Sequence, residues 1–534
     1  MAGFLDVVLR GLILVLSGFV LGGTAWLRFV VRAEPHVKPD GPTVLALTTI
    51  GAAAVGVAAA QTAVVMVSFG AVGTTHGDVL ATEFFTTTFA LTATARVVWA
   101  LGLALLARRM ADGAAGRVAW TALSVGAAML VASSAIVSHA VARVEYRGLL
   151  LALDAAHQLA AAVWVGGLAH LALYAAWRRR HASLVGTRPE LDVQAAAPVV
   201  RRFSTLAFRA MATIVLAGAA LTWMYVGEPS ALVGTAYGVM IVSKVVLLVA
   251  ALALAYANMR AVRAASGEPG TRLFRFAEVE LGLGITILFA AASLTSLPPA
   301  VDVTADRATV GEVAARFVPA APRLTSPPID ELIRTADPLM ERQISRKPIE
   351  RAWSEYNHHW AGLFVVTMGA LAMLERRGLR VARHWPLVFL GLATFLFVRN
   401  DPRAWPLGPA GFWESLTLPD VLQHRTFVLL VVAFAVFEWM VRTDRLPVRP
   451  WAYVFPVLCA VGGGLLLTHS HAMFNLKDEF LTEVTHAPLG ILGAFAGWGR
   501  WLELRLPEAG RWPAWTWRLC FTAVGLVLLF YREG

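Results

Sequence analysis

Tyr237–Arg260 reads YGVMIVSKVVLLVAALALAYANMR, an apolar run whose only charge before the closing Arg260 is Lys244. A hydrocarbon core of ~30 Å takes ~20 apolar residues in a helix, and inside lipid a helix meets all of its own backbone hydrogen-bonding needs. This run therefore predicts a membrane-spanning helix. The same test, applied outward in both directions, predicts about fourteen spans, near 11–31, 43–69, 84–107, 117–139, 148–176, 205–226, 236–259, 277–297, 356–374, 385–399, 426–441, 451–468, 486–502 and 514–531. Composition agrees: of 534 residues 57% are hydrophobic and only 15% charged, with mean hydropathy +0.64, outside the range of soluble globular chains. The expected fold is all-α, a polytopic membrane helical bundle with the lipid bilayer as its solvent.

The formal net charge of +11 does not point to nucleic acid, because the basic residues sit in short loops between apolar runs rather than in a stripe with aromatics. Every second loop is basic. Arg28, Arg32 and Lys38 mark the first, Arg178, Arg179, Arg180, Arg201 and Arg202 a later one, and Arg442, Arg445 and Arg449 another, while 70–83 and 227–235 carry no Lys or Arg. The positive-inside rule then puts both termini outside, in the periplasm of a bacterium, and predicts a multi-pass inner-membrane protein. The N-terminal run reads as a retained anchor, since Arg28 and Arg32 follow it instead of a small-residue cleavage site. Cys459 and Cys520 lie in separate apolar runs without CxxC spacing and read as small buried residues.

A proline-rich polar segment divides the chain. The expected organisation is a membrane module of about eight helices over 1–300, a periplasmic linker over 301–355, and a second module of about six helices over 356–534, with a short amphipathic helix within 329–344.

With sides assigned, His76, His139, His157, His358, His359, His424, His469, His471 and His486 fall on the outer side, against His36, His181 and His384 on the basic side. Imidazole is the commonest metal ligand, so this asymmetry reads as a metal-capture face. In Leu465–Leu492, LLLTHSHAMFNLKDEFLTEVTHAPLGIL, His469 and His471 would project ~200° apart on a helix at ~100° per residue. They share an ion only if the chain is extended there. Met473 adds a soft thioether suited to Cu(I), and His486 starts the next helix; its bland role is helix-end polarity before Pro488. In SEYNHHW, Glu355 lies one helical turn before His358 and His359 and is expected either to orient an imidazole or to cap the helix.

The first module also contains SHAVARVEYRGLLLALDAAHQLAAAVWVGGL, then RRFSTLAFRAMATIVLAGAALTW, then the Tyr237–Arg260 run, then FRFAEVELGLG and a closing SLPP. This succession resembles the copper resistance D (CopD) family of inner-membrane proteins, over roughly 1–300 and most clearly over 130–300. The resemblance implies copper uptake from the periplasm toward the cytoplasm. By position it makes His139 and His157 the family-like histidines, at similar outer depth on neighbouring helices. Asp154, three residues before His157, is placed to accept its Nδ1–H. An intramembrane charge costs ~2.5–3.5 kcal/mol at a helix centre, so Asp154 and Lys244, at comparable depth, are expected to pair and to be the groups for proton coupling. Met66 and Met224 are candidate soft ligands, ordinary packing being the alternative role. Arg96, near mid-membrane, has no evident partner in the sequence.

No Walker-type motif and no P-type pump motif occurs. The expectation is a non-enzymatic, ATP-independent copper transporter carrying Cu(I) or Cu(II), in copper homeostasis or resistance, with a periplasmic copper-binding protein as a possible donor. Two alternatives stand beside it. A b-type cytochrome would use His139 and His157, or His358 and His486, as axial ligands to haem, and a copper-binding platform would hold the ion without translocation.

Overall fold

The structure is a computed structural model that describes residues 2–76, 81–185, 189–264, 269–335, 347–446, 448–468, 477–507 and 510–533. Among them there are helices and loops and no strand. The chain divides into two compact units: the first comprises Met1–Leu232, Tyr237–Ala305 and Leu467–Phe474, the second Val233–Ala236, Asp306–Leu466 and Asn475–Gly534.

In the first unit the long helices are α1 (Ala2–Ala25), α2 (Gly41–His76), α3 (Thr88–Asp112), α4 (Arg117–Ala132), α5 (Arg147–Val185), α6 (Pro189–Val226), α7 (Ala236–Ala264) and α8 (Pro269–Leu294). Helix α1 lies at the centre, packed on α2, α5 and α8. Its Gly18 and Gly22 meet Ala162 and Gly166 of α5, and a methyl group at Gly22 or Gly166 would collide with the facing backbone. Small residues spaced four apart let helices approach closely where lipid gives no hydrophobic push, so Gly166 and Gly167 act in packing. Beyond α1 the chain continues as a π-helical turn, Trp26–Val31.

One local break adjusts the expected boundaries. Helix α4 ends at Ala132 and passes through a 3-10 segment, Ser133–Val137, so His139 does not close the fourth span; it opens a separate turn, His139–Ala142, capped by the Ser138 hydroxyl. The break supplies the partners that Arg96 lacked in the sequence, since its Nη1 donates to the hydroxyls of Ser133 at 2.7 Å and Ser134 at 2.9 Å.

The second unit holds α9 (Pro348–Arg376), α10 (Val388–Arg399), α11 (Pro419–Arg442), α12 (Val454–Thr468), α13 (His486–Arg505) and α14 (Trp512–Leu529). Helix α9 starts inside the expected linker, with Pro348 in its first turn, where a missing N–H costs nothing. Upstream, Val310–Arg316 forms a short helix under a Thr309–Glu312 capping box, and Ile329–Thr335 another. Trp385, Phe455, Trp517 and Phe521 fill the core with Met368.

Among the described residues eleven helices are long and apolar enough to cross a membrane. All fourteen expected spans correspond to helices, but three fall short of that measure. Helix α12 has 15 residues, and α9 and α13 carry too many polar and charged residues, among them Glu355, His358 and His359 in one and Arg500, Glu503 and Arg505 in the other.

Candidate functional site

Helix α5 carries Asp154, His157 and Gln158 on consecutive turns, and α6, α7 and α8 supply what surrounds them. His157 Nδ1 lies 3.1 Å from the Ile214 carbonyl of α6. A carbonyl only accepts, so Nδ1 holds the proton and Nε2 carries the lone pair. Gly218, one turn on, makes room: a Cβ there would stand 3.0 Å from His157 Cε1. His139 is fixed in the opposite sense, its Nε2–H donating to the Leu294 carbonyl of α8 at 3.0 Å, which leaves Nδ1 with the lone pair. Each imidazole is thus oriented by one backbone contact and keeps one nitrogen for a ligand, the arrangement metal-binding histidines generally show.

The ring of His139 packs edge-on against Tyr237, centroids 6.4 Å apart, and Tyr237 against Tyr225 at 6.3 Å. Arg143 lies over Tyr225 and is held by a two-point contact to Asp302, with Nη1–Oδ1 at 2.9 Å and Nη2–Oδ2 at 2.6 Å. Asp154 is the negative charge these groups share, acting on His157, Tyr225, Tyr237 and Lys244.

Asp154 and Lys244 nevertheless do not close into an ion pair among the described residues, and Asp154 Oδ2 is buried without a hydrogen-bond partner, as is Gln158 Oε1. Asp154 does not orient His157 either; the Ile214 carbonyl does. The physical reason is lateral placement: α6 presents its carbonyl beside the ring, while Asp154 sits a turn away on the same helix. Met66 is 55% exposed on the flank of α2, and Met224 is half-buried on α6.

The histidines of the second unit that the sequence predicts on the outer side have other partners. His359 is fully buried; its Nδ1 accepts from the Arg323 backbone N–H at 2.6 Å and its Nε2–H donates to the Tyr531 carbonyl at 2.8 Å, which uses both nitrogens. His358 Nδ1 donates to the Ser354 carbonyl at 2.8 Å, and its ring stacks on Tyr531 at 4.2 Å. Glu355 meets the Arg323 guanidinium at 3.5 Å and the Glu533 N–H at 3.4 Å, so it ties down Arg323 instead of orienting an imidazole. His486 is the first residue of α13. His469, His471 and Met473 lie outside the described residues. Among the described residues no three His, Cys, Asp or Glu side chains converge as a metal-holding group.

Sequence reasoning missed Tyr225, Tyr237 and Arg143 as neighbours of the site. The available signal was position, since Tyr225 and Tyr237 flank the short connection between α6 and α7.

Comparison with known proteins adds two findings. Residues 197–294 match the family model for copper resistance protein D. The chain is also 31% identical over 181 residues to the copper transport protein CutJ of Bacillus subtilis (strain 168), an alignment covering 34% of this chain and 31% of that protein. The chain therefore aligns with about a third of that relative's length. No solved structure matches. The matched span is α6 from residue 197, α7 and α8, which supply the Ile214 and Leu294 carbonyls, Tyr237 and Lys244, while the two histidines come from outside it. Over residues 197–294, then, this membrane protein is similar to the copper resistance protein D family.

Proposed function

We propose that the chain carries copper ions through a bacterial inner membrane, from the periplasmic face toward the cytoplasm and without ATP. The observation that supports this most is that His139 and His157 are each locked by a backbone carbonyl in the tautomer that leaves one ring nitrogen unprotonated, and that Asp154, whose charge acts on His157, keeps a buried oxygen without a hydrogen-bond partner. Such a place attracts a cation and offers it nitrogen donors. The CopD match and the name of the Bacillus relative favour copper as that cation.

In this reading Asp154 draws the ion in and His157 takes it. The ion and the Lys244 ammonium then compete for one carboxylate, a competition through which proton movement couples to transport. The test is Cu(I) influx into liposomes holding the purified chain. His139→Ala and His157→Ala should each remove most of the influx while the protein still elutes as a folded species; influx at the unmodified rate would take both residues out of the pathway. A reduced-minus-oxidised spectrum of the same preparation showing a haem band would replace transport with electron transfer.

A further inference from the structure

His170 lies on α5 thirteen residues beyond His157, ~20 Å further along the helix axis at ~1.5 Å per residue. It is 2% exposed. Its Nδ1–H donates to the Gly166 carbonyl at 2.8 Å, so Nε2 carries the lone pair, and Nε2 is buried with no hydrogen-bond partner. The Ala46 carbonyl of α2 lies near the ring but outside hydrogen-bonding geometry, and it too is an acceptor. An unsatisfied buried acceptor costs ~1–3 kcal/mol, and two acceptors facing one space suit a hydrogen-bond donor or a cation between them.

That space exists. A cavity of about 10 Å³ opens beside His170, walled by Ala46, Tyr174 and Trp26, close to the least volume that admits one water-sized particle. Two features at the end of α1 and just beyond it shape the surroundings of His170. Gly23 bears no side chain where a Cβ would stand 2.5 Å from both Cε1 and Nε2 of His170. The π-helical turn begins at Trp26 and sets the indole against Tyr174, with centroids 5.8 Å apart. Wide turns of this kind concentrate at functional sites, and an indole face attracts cations.

We infer that His170 Nε2, the Trp26 ring and the Ala46 carbonyl form a second, inner stopping point for the copper cargo, in its monovalent soft form. The inference rests on the transport reading above. One firm nitrogen donor with weak neighbours suits a station that must release what it takes, since conduction needs binding strong enough to enter and weak enough to leave. Soft nitrogen and π donors suit Cu(I) better than a hard divalent ion.

The experiment measures influx of Ag(I), a redox-stable stand-in for Cu(I), into liposomes holding the full chain. His170→Gln keeps a polar side chain able to donate to Gly166 but removes the imidazole donor, whereas His170→Cys keeps a soft donor. Influx is expected to fall by on the order of tenfold with Gln, an effect typical of disturbing a metal's surroundings, and to stay largely intact with Cys. Gly23→Ala, which presses a methyl onto the imidazole edge, should lower influx as Gln does. Elution as a single folded species is checked for each variant. Wild-type influx in His170→Gln, or an equal loss in Gln and Cys variants that are both folded, overturns the inner station and leaves a packing or water-holding histidine. If His157→Ala abolishes influx while His170→Gln does not change it, only the inner station is lost; if the unmodified chain moves no Ag(I), both readings go.

Discussion

The two units treat buried charge in opposite ways. In the second, Arg442 is bound by Glu375 at 2.8 Å and Glu438 at 2.7 Å, and Glu503 takes Arg500 and Arg518. The Trp385 and Trp517 indoles donate to Glu375 and Glu503, and Arg442 also lies over both rings. In the first unit Asp154 Oδ2 and His170 Nε2 are buried without a hydrogen-bond partner, and Asp154 and Lys244 act on each other without closing into an ion pair. A charge network bound on several sides holds helices together and has little left to offer a ligand. Groups left partly unsatisfied weaken the fold and are available to an ion. Low-dielectric surroundings raise the stakes of both choices.

The largest effect that tests this contrast is expected in the second unit. Arg442→Ala strands the buried Glu438 carboxylate and takes the guanidinium from Glu375, which is partly exposed and keeps the Trp385 indole; removing one member of a buried network costs ~3–5 kcal/mol, and heat stability followed by the soluble, monodisperse fraction should drop sharply. Unchanged stability would mean the network is incidental. Next comes His359→Ala, which leaves the Arg323 N–H and the Tyr531 carbonyl unpaired at ~1–3 kcal/mol each. It should destabilise the chain without altering the stoichiometry of Cu(I) bound, and a lost copper ion would make His359 a ligand after all. In the first unit the order reverses. Asp154→Asn should barely affect stability yet weaken copper binding by ~10–100-fold, the usual cost of disturbing a metal's surroundings, measured by competition with a chelator.

The smallest effect is expected at an exposed rim of the second unit. The Lys477 ammonium at 2.6 Å, followed by the Thr309 N–H and hydroxyl, holds the Glu312 carboxyl down at about 2. A carboxyl lowered on folding adds stability above its ordinary value near 4.5, and that contribution is lost as the pH falls through about 2. Because the group is fully exposed, solvent screening keeps the contribution slight. Wild type and Glu312→Gln should differ slightly in heat stability at neutral pH and converge in acid; a large gap at neutral pH would show that exposed pairs matter here as much as buried ones.

Much of the helix pattern was legible, since a run such as Tyr237–Arg260 has only one stable form in lipid. The exceptions were marginal in composition: α12 is short, and α9 and α13 carry charges at their ends. His139 and His157 were singled out in the sequence by depth and type. Their partners were not, because the Leu294 and Ile214 carbonyls are backbone groups, identical in every residue and chosen only by how α8 and α6 lie against the rings. Glu355 shows the same limit. Its spacing from His358 and His359 permits an interaction along the helix, yet Arg323, 32 positions earlier in the chain, occupies it.

Composition and periodicity by themselves determined that this chain is a membrane bundle of helices and which turns carry imidazoles, because the need to satisfy the backbone in lipid acts locally on each run of residues. Only the tertiary structure decided which of those imidazoles keep a nitrogen for a ligand. That depends on what a neighbouring helix brings to the other nitrogen, a carbonyl beside His157 and His139 but a donor and an acceptor around His359, and such contacts form between residues far apart in the chain.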